Sequence, residues 1–219
     1  MRPGFTCILF DLDGTIVDSA PGITATLAYT FEQLRLPIPT PAELVAYVGP
    51  PILDSFRDLA HFSTDEAHRA LEIYRARYLV HGVFDATVYP GIPHLLRRIQ
   101  ESGVPLSLAT SKPEGPAKLV LEHYGLLEYF DVITGASEDE VRSAKADVVA
   151  EALIRLTAIG ADISRPVMVG DRSHDVHGAA AHNVPTIFVR WGYGSPAEEV
   201  GTIGVAKDTE ELEALLFPV

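Results

Sequence analysis

The stretch Thr6–Ser19, TCILFDLDGTIVDS, places two carboxylates directly after a short apolar run. Residues 7–10 are β-prone and apolar on both faces, which predicts a central strand of a parallel sheet. Because side chains alternate along a strand, Asp11 and Asp13 would leave it on one side, at the crevice where open α/β sheets bind ligands. Two acids this close favour a divalent cation such as Mg²⁺. An aspartate cap and an Asp-Gly turn at Gly14 explain the same residues without a function.

The composition limits the classes of protein and partner. The chain has 219 residues, 47% of them hydrophobic, and a formal net charge of −13. This size and apolar content suit a core domain that carries a smaller one, and they exclude a disordered chain. The negative charge argues against nucleic acid and anionic membranes as partners, because no broad basic face is available. A small anionic substrate stays compatible, since a bound cation can reverse the field inside a crevice.

The single cysteine and the apolar runs indicate the cellular compartment. Cys7 excludes an intrachain disulfide, and its place in the apolar strand predicts a buried thiol. No apolar run reaches the length of a membrane span, and no long apolar segment follows residues 1–4. We therefore expect a cytoplasmic protein, either monomeric or homodimeric.

The pattern of periodicity changes once along the chain. Residues 16–88 show helical patterns only, with capping boxes at Thr40–Glu43 and Ser63–Glu66. From residue 89 onward strands and helices alternate: strands at 105–109, 131–134, 166–169, 185–189 and 202–205, helices at 92–102, 114–124, 145–159, 175–182 and 208–216. Such alternation predicts an α/β fold with a doubly wound parallel sheet. We expect a core domain at residues 1–15 and 89–219, interrupted by an all-α domain at 16–88.

Three further segments place polar groups at predicted strand ends or helix starts. Thr110 and Ser111 follow the second core strand, where they either cap a helix or bind an oxyanion. Lys145 lies at a helix start, where the helix dipole disfavours a cation unless an anion is nearby. Asp171 and Asp175 follow another apolar strand, and the dipole alone also favours acids there. Four carboxylates from two strand ends of one sheet favour a metal site over either capping explanation.

The segments Phe10–Thr15 with Asp18 and Ser19, Thr110–Pro113, Lys145 and Gly170–Asp175 resemble, in order and spacing, the four motifs of the haloacid dehalogenase superfamily of phosphatases. The resemblance covers nearly the whole chain and implies a HAD-like core with an α-helical cap. It departs in one place, because Ala146 follows the lysine where the family commonly has proline.

The resemblance implies a mechanism. Asp11 would be the nucleophile that forms an aspartyl phosphate, and Asp13 the general acid and base. Thr110, Ser111, Lys145 and Gly14 would bind the phosphoryl group. Asp11, Asp171, Asp175 and the backbone carbonyl of Asp13 would hold Mg²⁺. The acid Asp13 makes a dehalogenase improbable, because a halide leaving group needs no proton.

The substrate is expected to be a small phosphorylated metabolite. Residues 18–22 and 88–91 are most similar to phosphoglycolate phosphatases, which favours 2-phosphoglycolate, and Gly49, Pro50 and Pro51 resemble a cap loop that sets specificity. A nucleoside 5′-monophosphatase or a broad sugar-phosphate phosphatase is the alternative, and a phosphomutase or a binding module without turnover is less favoured.

Several other polar residues have an ordinary explanation. His174 and His177 are interpreted as helix-surface or supporting residues rather than transition-metal ligands. Lys118 is the alternative candidate for the phosphate-binding role of Lys145, but it lies too far along its helix. The arginines Arg57, Arg75 and Arg77 either meet a substrate anion or are solvated. Residues 192–197 are expected to form a loop beside the site.

Overall fold

The computed structural model describes residues 4–218. Its strands are β1 (Cys7–Phe10), β2 (Val17–Asp18), β3 (Thr87–Val88), β4 (Leu106–Pro113), β5 (Val132–Ala136), β6 (Pro166–Gly170), β7 (Thr186–Val189) and β8 (Gly204–Ala206). Its α-helices are α1 (Ala20–Gln33), α2 (Pro41–Val45), α3 (Ile52–Asp58), α4 (Thr64–Val80), α5 (Ile92–Ser102), α6 (Glu114–His123), α7 (Lys145–Ala158), α8 (Ser173–Ala180) and α9 (Thr209–Leu216). Short 3₁₀ turns lie at Gly82–Phe84, Leu127–Tyr129 and Pro196–Glu199.

Six strands form one parallel sheet in the order β5-β4-β1-β6-β7-β8. The predicted α/β class and parallel sheet are confirmed. The first strand is buried on both faces: Cys7 and Leu9 join the hydrophobic cluster that includes α7, whereas Ile8 and Phe10 join the larger cluster on the other face. A strand covered on both faces reads as a continuous apolar run, which is why its position was evident from sequence.

Helices α1 to α4 lie between β2 and β3. The last three, α2, α3 and α4, are here called the insert, and they continue the larger hydrophobic cluster. Phe31 of α1 and Phe56 of α3 make an edge-to-face contact, with centroids 6.4 Å apart, so α1 packs with the insert. The two predicted capping boxes are present at Thr40 and Ser63. In each box the glutamate carboxylate accepts a hydrogen bond from the backbone N–H of the N-cap residue, and this bond fixes where α2 and α4 begin.

The expectation that residues 16–88 are helical throughout was wrong at both ends. Val17–Asp18 and Thr87–Val88 pair as a two-stranded antiparallel sheet. A strand of two residues is too short to show a periodicity in the sequence. These two strands form because the segments that connect the core to the helices run side by side. Helix α1 follows at Ala20, with Pro21 in its first turn.

The core strands after β1 differ from their expected bounds by a few residues. The strand expected at 105–109 extends to Pro113, with an irregular register against β5 between Ala109 and Pro113. The strand expected at 202–205 lies at Gly204–Ala206. The extension of β4 keeps Thr110, Ser111 and Lys112 in strand geometry at the edge of the crevice. Within residues 4–218, no helix is both long and apolar enough to cross a bilayer.

Candidate active site

Three carboxylates converge at the carboxyl ends of β1 and β6. Asp11 follows β1, Asp171 follows β6 and Asp175 lies in the first turn of α8, and one oxygen from each lies within 4.8 Å of the other two. All three side chains are buried. Buried carboxylates are rare without a cation, and carboxylate oxygens are the ligands that hard divalent ions prefer.

Lys145 lies among these carboxylates. Its Nζ is 2.8 Å from Asp11 Oδ1 and 2.8 Å from Asp175 Oδ1, and it donates to the carbonyl of Ala109 at 3.1 Å. Lys145 is the first residue of α7, which aims its side chain at the sheet edge although Ala146 replaces the usual proline. Gly178 of α8 allows this approach, because a Cβ there would lie 2.6 Å from Lys145 Cγ.

The charges in this cluster do not balance. One ammonium faces three carboxylates, which leaves two negative charges in excess when all are ionised. Burial, opposed by Lys145, raises the pKa of Asp11 from 3.8 to about 6. Burial and the neighbouring carboxylates Asp175 and Asp11 raise the pKa of Asp171 well above its ordinary value. Since a divalent cation would cancel the excess charge, the donor set fits Mg²⁺.

Backbone and hydroxyl groups hold Asp171 in place. Its Oδ1 accepts from Thr15 Oγ1 at 3.2 Å and its Oδ2 from the N–H of Tyr193 at 2.7 Å. Gly14, with φ +85°, and Gly192 both pack on this carboxylate, and a Cβ at either would lie 2.3 Å from Asp171 Oδ2. The predicted phosphate-binding residue Gly14 thus contacts the carboxylate cluster directly.

Asp13 faces a different set of partners. Its Oδ1 accepts from Ser19 Oγ at 2.6 Å, and its Oδ2 lies 2.8 Å from Lys112 Nζ. Lys112 Nζ also donates to the hydroxyl of Tyr78, on α4, at 2.9 Å. The Asp13 carboxylate is therefore outside the three-carboxylate cluster, and its backbone carbonyl is the group that stays a candidate metal ligand.

The hydroxyls predicted to bind phosphate lie at the end of β4. Thr110 is buried, and its Oγ1 accepts from the N–H of Lys112 at 3.2 Å. Ser111 Oγ is buried without a hydrogen-bond partner among the described protein atoms. An unpartnered buried hydroxyl is costly unless a ligand or water satisfies it, so Ser111 is placed to bind one.

Two cavities meet at Ser111, between the core and the insert. One, called here the Asp13 cavity, has a volume of about 400 Å³, and Asp13, Ser111 and Lys112 line it together with Gly49, Pro50 and Pro51. The second, with a volume of about 580 Å³, reaches Lys145, His174 and His177. The predicted loop Gly49–Pro51 thus covers the site, and Arg172 of the core donates to the carbonyl of Val48 at 2.7 Å.

The other polar residues considered from sequence are divided between the cavities and the surface. Lys118 is 47% exposed and pairs with Glu114, and Arg57 pairs with Asp54 at 3.5 Å. Arg77 lies over the ring of Tyr29. Arg75 lines the Asp13 cavity but is bonded to Glu140.

Burial and Arg172 lower the pKa of His174, so this imidazole is neutral near pH 7. It lines the second cavity as a neutral group.

Sequence analysis missed Lys112, Tyr78 and Tyr193. Lys112 directly follows the two hydroxyl residues of β4, so a lysine inside a strand end was the available signal. Nothing local marks Tyr78, which is 34 residues from Lys112. The Tyr193 hydroxyl accepts from the N–H of Ser19 at 2.8 Å and donates to Asp18 at 2.8 Å, so this residue of the expected loop lies beside the first motif, whereas Pro196–Glu199 form a 3₁₀ turn.

Comparison with known proteins shows the family of this fold and site. Residues 8–189 match the sequence model of the haloacid dehalogenase-like hydrolases. A crystal structure of a predicted phosphatase from Clostridium acetobutylicum superposes with a TM-score of 0.89 at 36% identity, over 95% of this chain and 96% of that one.

Three curated relatives have different names. The tyrosine-protein kinase PtkA of Mycobacterium tuberculosis is 42% identical over 85% of this chain, which spans only 62% of that protein. A 5′-nucleotidase of Pseudomonas aeruginosa is 37% identical over 87% of this chain and 85% of its own length. A phosphoglycolate phosphatase of Rhodospirillum rubrum is 34% identical over 96% of this chain and 91% of its own length.

Proposed function

The chain belongs to the haloacid dehalogenase-like hydrolases, and on that premise we propose that it is a Mg²⁺-dependent phosphomonoesterase that works through an aspartyl phosphate on Asp11. One observation carries the proposal: Asp11, Asp171 and Asp175 form a buried cluster around Lys145. A carboxylate is already ionised at neutral pH and attacks without a base to activate it.

The chain's own groups account for both halves of the reaction. An oxygen of Asp11 attacks phosphorus and the bond from phosphorus to the leaving oxygen breaks, while Asp13 gives that oxygen a proton. Water then attacks the same phosphorus and gives its proton to Asp13. The bond to Asp11 breaks, inorganic phosphate leaves, and the Asp11 carboxylate is restored.

The phosphoryl group would be bound by Thr110, Ser111 and Lys145, with Gly14 leaving room beside Asp171. Asp11, Asp171, Asp175 and the carbonyl of Asp13 would hold Mg²⁺, which when bound stabilises negative charge on the transferring oxygens. Tyr78 and the loop Gly49–Pro51 would exclude water when the insert covers the site. The boundaries at residues 15/16 and 88/89 are part of this proposal.

For the substrate, the sequence resemblance and the relatives support 2-phosphoglycolate and, as the alternative, nucleoside 5′-monophosphates or sugar phosphates. Relatives named phosphoglycolate phosphatase and 5′-nucleotidase each cover most of the chain. The kinase name is not carried over, because the chain spans 62% of that relative. A phosphomutase and a module without turnover are the less favoured hypotheses. The cytoplasmic location and the monomeric or dimeric state stay predictions.

The test compares wild type, Asp11→Asn and, as a matched control, Asp162→Asn, which is exposed and precedes the amino end of β6, whereas the site lies at the carboxyl end of that strand. We expect Mg²⁺-dependent phosphate release that Asp11→Asn reduces at least about a thousandfold, or ~4 kcal/mol of barrier, with Asp162→Asn unchanged. Acid quenching should trap an alkali-labile phosphoenzyme in wild type alone. Release that survives Asp11→Asn would contradict the assignment of the nucleophile.

A further inference from the structure

The Asp13 cavity contains the space that a leaving group must occupy. This inference rests on the proposed function, in which Asp13 protonates the leaving oxygen, so the departing group lies against Asp13. Among the cavities described above, Asp13 lines the one of about 400 Å³ and is absent from the lining of the second. The walls of the Asp13 cavity therefore select the substrate beyond its phosphate.

These walls offer an anion little attraction. Lys112 is held by Asp13 at 2.8 Å and by the Tyr78 hydroxyl at 2.9 Å. Arg75 bonds to the Glu140 carboxylate and to the carbonyl of Glu138. Within the described part of the chain, these are the lining cations, and both are already paired.

The acidic and basic groups of the lining balance. When Asp13 carries the proton that the leaving oxygen receives, the carboxylates of Glu138 and Glu140 face the ammonium of Lys112 and the guanidinium of Arg75, and no positive charge is left over. A carboxylate on the leaving group, such as that of glycolate, would therefore lose hydration without gaining an unpaired cation. Charge therefore disfavours 2-phosphoglycolate and favours a neutral leaving group.

The remaining lining is apolar and aromatic. Tyr74 and Tyr78 stack with ring centroids 5.4 Å apart, and Tyr47 adds a third ring. The aliphatic part of the wall includes Ile23, Ile52, Leu71, Leu79 and Leu119. Aromatic walls attract a further ring through offset or edge contacts beyond simple area burial.

The volume also exceeds what glycolate needs. The volume of about 400 Å³ equals that of roughly 13 water molecules in the liquid, at ~30 Å³ each, whereas glycolate has five heavy atoms. Pockets of 300–1,000 Å³ are typical of small-molecule sites. We propose that this enzyme acts on phosphomonoesters whose leaving group is uncharged and carries an aromatic ring, such as a nucleoside or an arylalkyl alcohol.

The test compares kcat/KM for four phosphates of alcohols: 2-phosphoglycolate, its neutral amide, benzyl phosphate and adenosine 5′-monophosphate. Benzyl phosphate supplies a ring without the activated leaving group of a phenyl ester. We expect at least one of the two ring-bearing substrates to exceed 2-phosphoglycolate about tenfold or more, and the amide to exceed 2-phosphoglycolate as well. A higher kcat/KM for benzyl phosphate than for the nucleotide would identify a compact aryl group as the preferred leaving group. The reverse order would identify a nucleoside. If 2-phosphoglycolate equals or exceeds both, the inference is overturned.

A pair of variants tests the wall itself. Leu119 lines the Asp13 cavity and Leu215 lies on α9, and both are 37% exposed. Leu119→Lys should raise the ratio of 2-phosphoglycolate to its amide at least threefold and lower kcat/KM for benzyl phosphate, whereas Leu215→Lys should change neither. Because misfolding would lower the activity on every substrate, it does not explain a gain in the relative rate for one of them. Equal ratios in Leu119→Lys and wild type would contradict the placement of the leaving group.

The two proposals fail in different ways. If every substrate is inert, or if hydrolysis survives Asp11→Asn, the proposed function fails. If hydrolysis depends on Asp11 and Mg²⁺ but 2-phosphoglycolate is preferred, only the inference about the leaving group fails.

Discussion

The buried pair of Lys112 and Asp13 makes a quantitative prediction about stability. Their charged atoms are 2.8 Å apart, with side chains 5% and 8% exposed respectively. Burial alone would lower the pKa of Lys112, but the Asp13 carboxylate and the Tyr78 hydroxyl outweigh it and raise that pKa above its ordinary value. Each charge is therefore kept in the interior by its partner.

The magnitude follows from removing one partner at a time. Lys112→Met leaves the Asp13 carboxylate buried with only the Ser19 hydroxyl, and losing one partner of a buried ion pair costs about 3–5 kcal/mol of unfolding free energy. Asp13→Asn leaves the Lys112 ammonium with the Tyr78 hydroxyl but without an anionic partner, at a similar cost. The double variant buries two neutral groups, so it should be more stable than the sum of the single effects by at least about 2 kcal/mol.

The assay is urea unfolding followed by circular dichroism, with EDTA present so that no metal contributes to stability. The matched control is Arg57 and Asp54, 3.5 Å apart with side chains 39% and 47% exposed. Arg57→Met, Asp54→Asn and their combination should show an interaction below about 1 kcal/mol, as exposed pairs do. If Lys112→Met costs less than ~1 kcal/mol and its cycle is additive like the control, the buried pair does not hold Asp13.

The remaining predictions concern the carboxylate cluster. Mg²⁺ at 100 times its dissociation constant should stabilise the protein by ~2.7 kcal/mol in calorimetry, and Asp171→Asn should abolish the shift. In metal-free protein the folded pKa of Asp11, about 6, exceeds its ordinary 3.8. The contribution of Asp11 to the free energy of unfolding is therefore fully present below about pH 4 and is lost as the pH rises through 6. The total loss is about 3 kcal/mol. An unfolding free energy of the wild type that does not change over this pH range would contradict the prediction. Gly14→Ala should weaken Mg²⁺ binding in titration calorimetry because its Cβ meets Asp171. Gly103→Ala, also at positive φ (+73°) but with open space around it, should leave Mg²⁺ binding unchanged.

The parts of the fold that sequence predicted are those with a local signal. The strand Cys7–Phe10 was evident because burial on both faces makes every residue apolar. The helices α2 and α4 were marked by capping boxes whose partners are three residues apart. The cluster of Asp11, Asp171 and Asp175 followed from topology, because carboxyl ends of parallel strands share one edge of a sheet.

The parts that sequence did not predict depend on distant residues or on very short segments. The bond from Lys112 to Tyr78 joins β4 to the insert across 34 residues, and either side chain alone looks like an ordinary strand or helix residue. The pairing of Val17–Asp18 with Thr87–Val88 needs both chain crossings to be in place before it exists. The preference proposed for the Asp13 cavity likewise depends on which lining cations are already paired, and the sequence alone does not show which side chains pair.

The two aspartates of the first motif lie two residues apart, yet each is bound by its own lysine at 2.8 Å. Lys145, which holds Asp11, belongs to α7 of the core, and its partners Asp11, Asp175 and the carbonyl of Ala109 belong to the core as well. Lys112, which holds Asp13, also bonds to Tyr78 of the insert. Displacement of the insert would therefore remove a hydrogen-bond partner of Lys112 and leave the contacts of Lys145 intact. In the proposed mechanism, the core then organises the nucleophile Asp11, whereas the lysine beside the acid Asp13 keeps all its partners when the insert is in place. This arrangement would tie proton transfer to the enclosure of the leaving group.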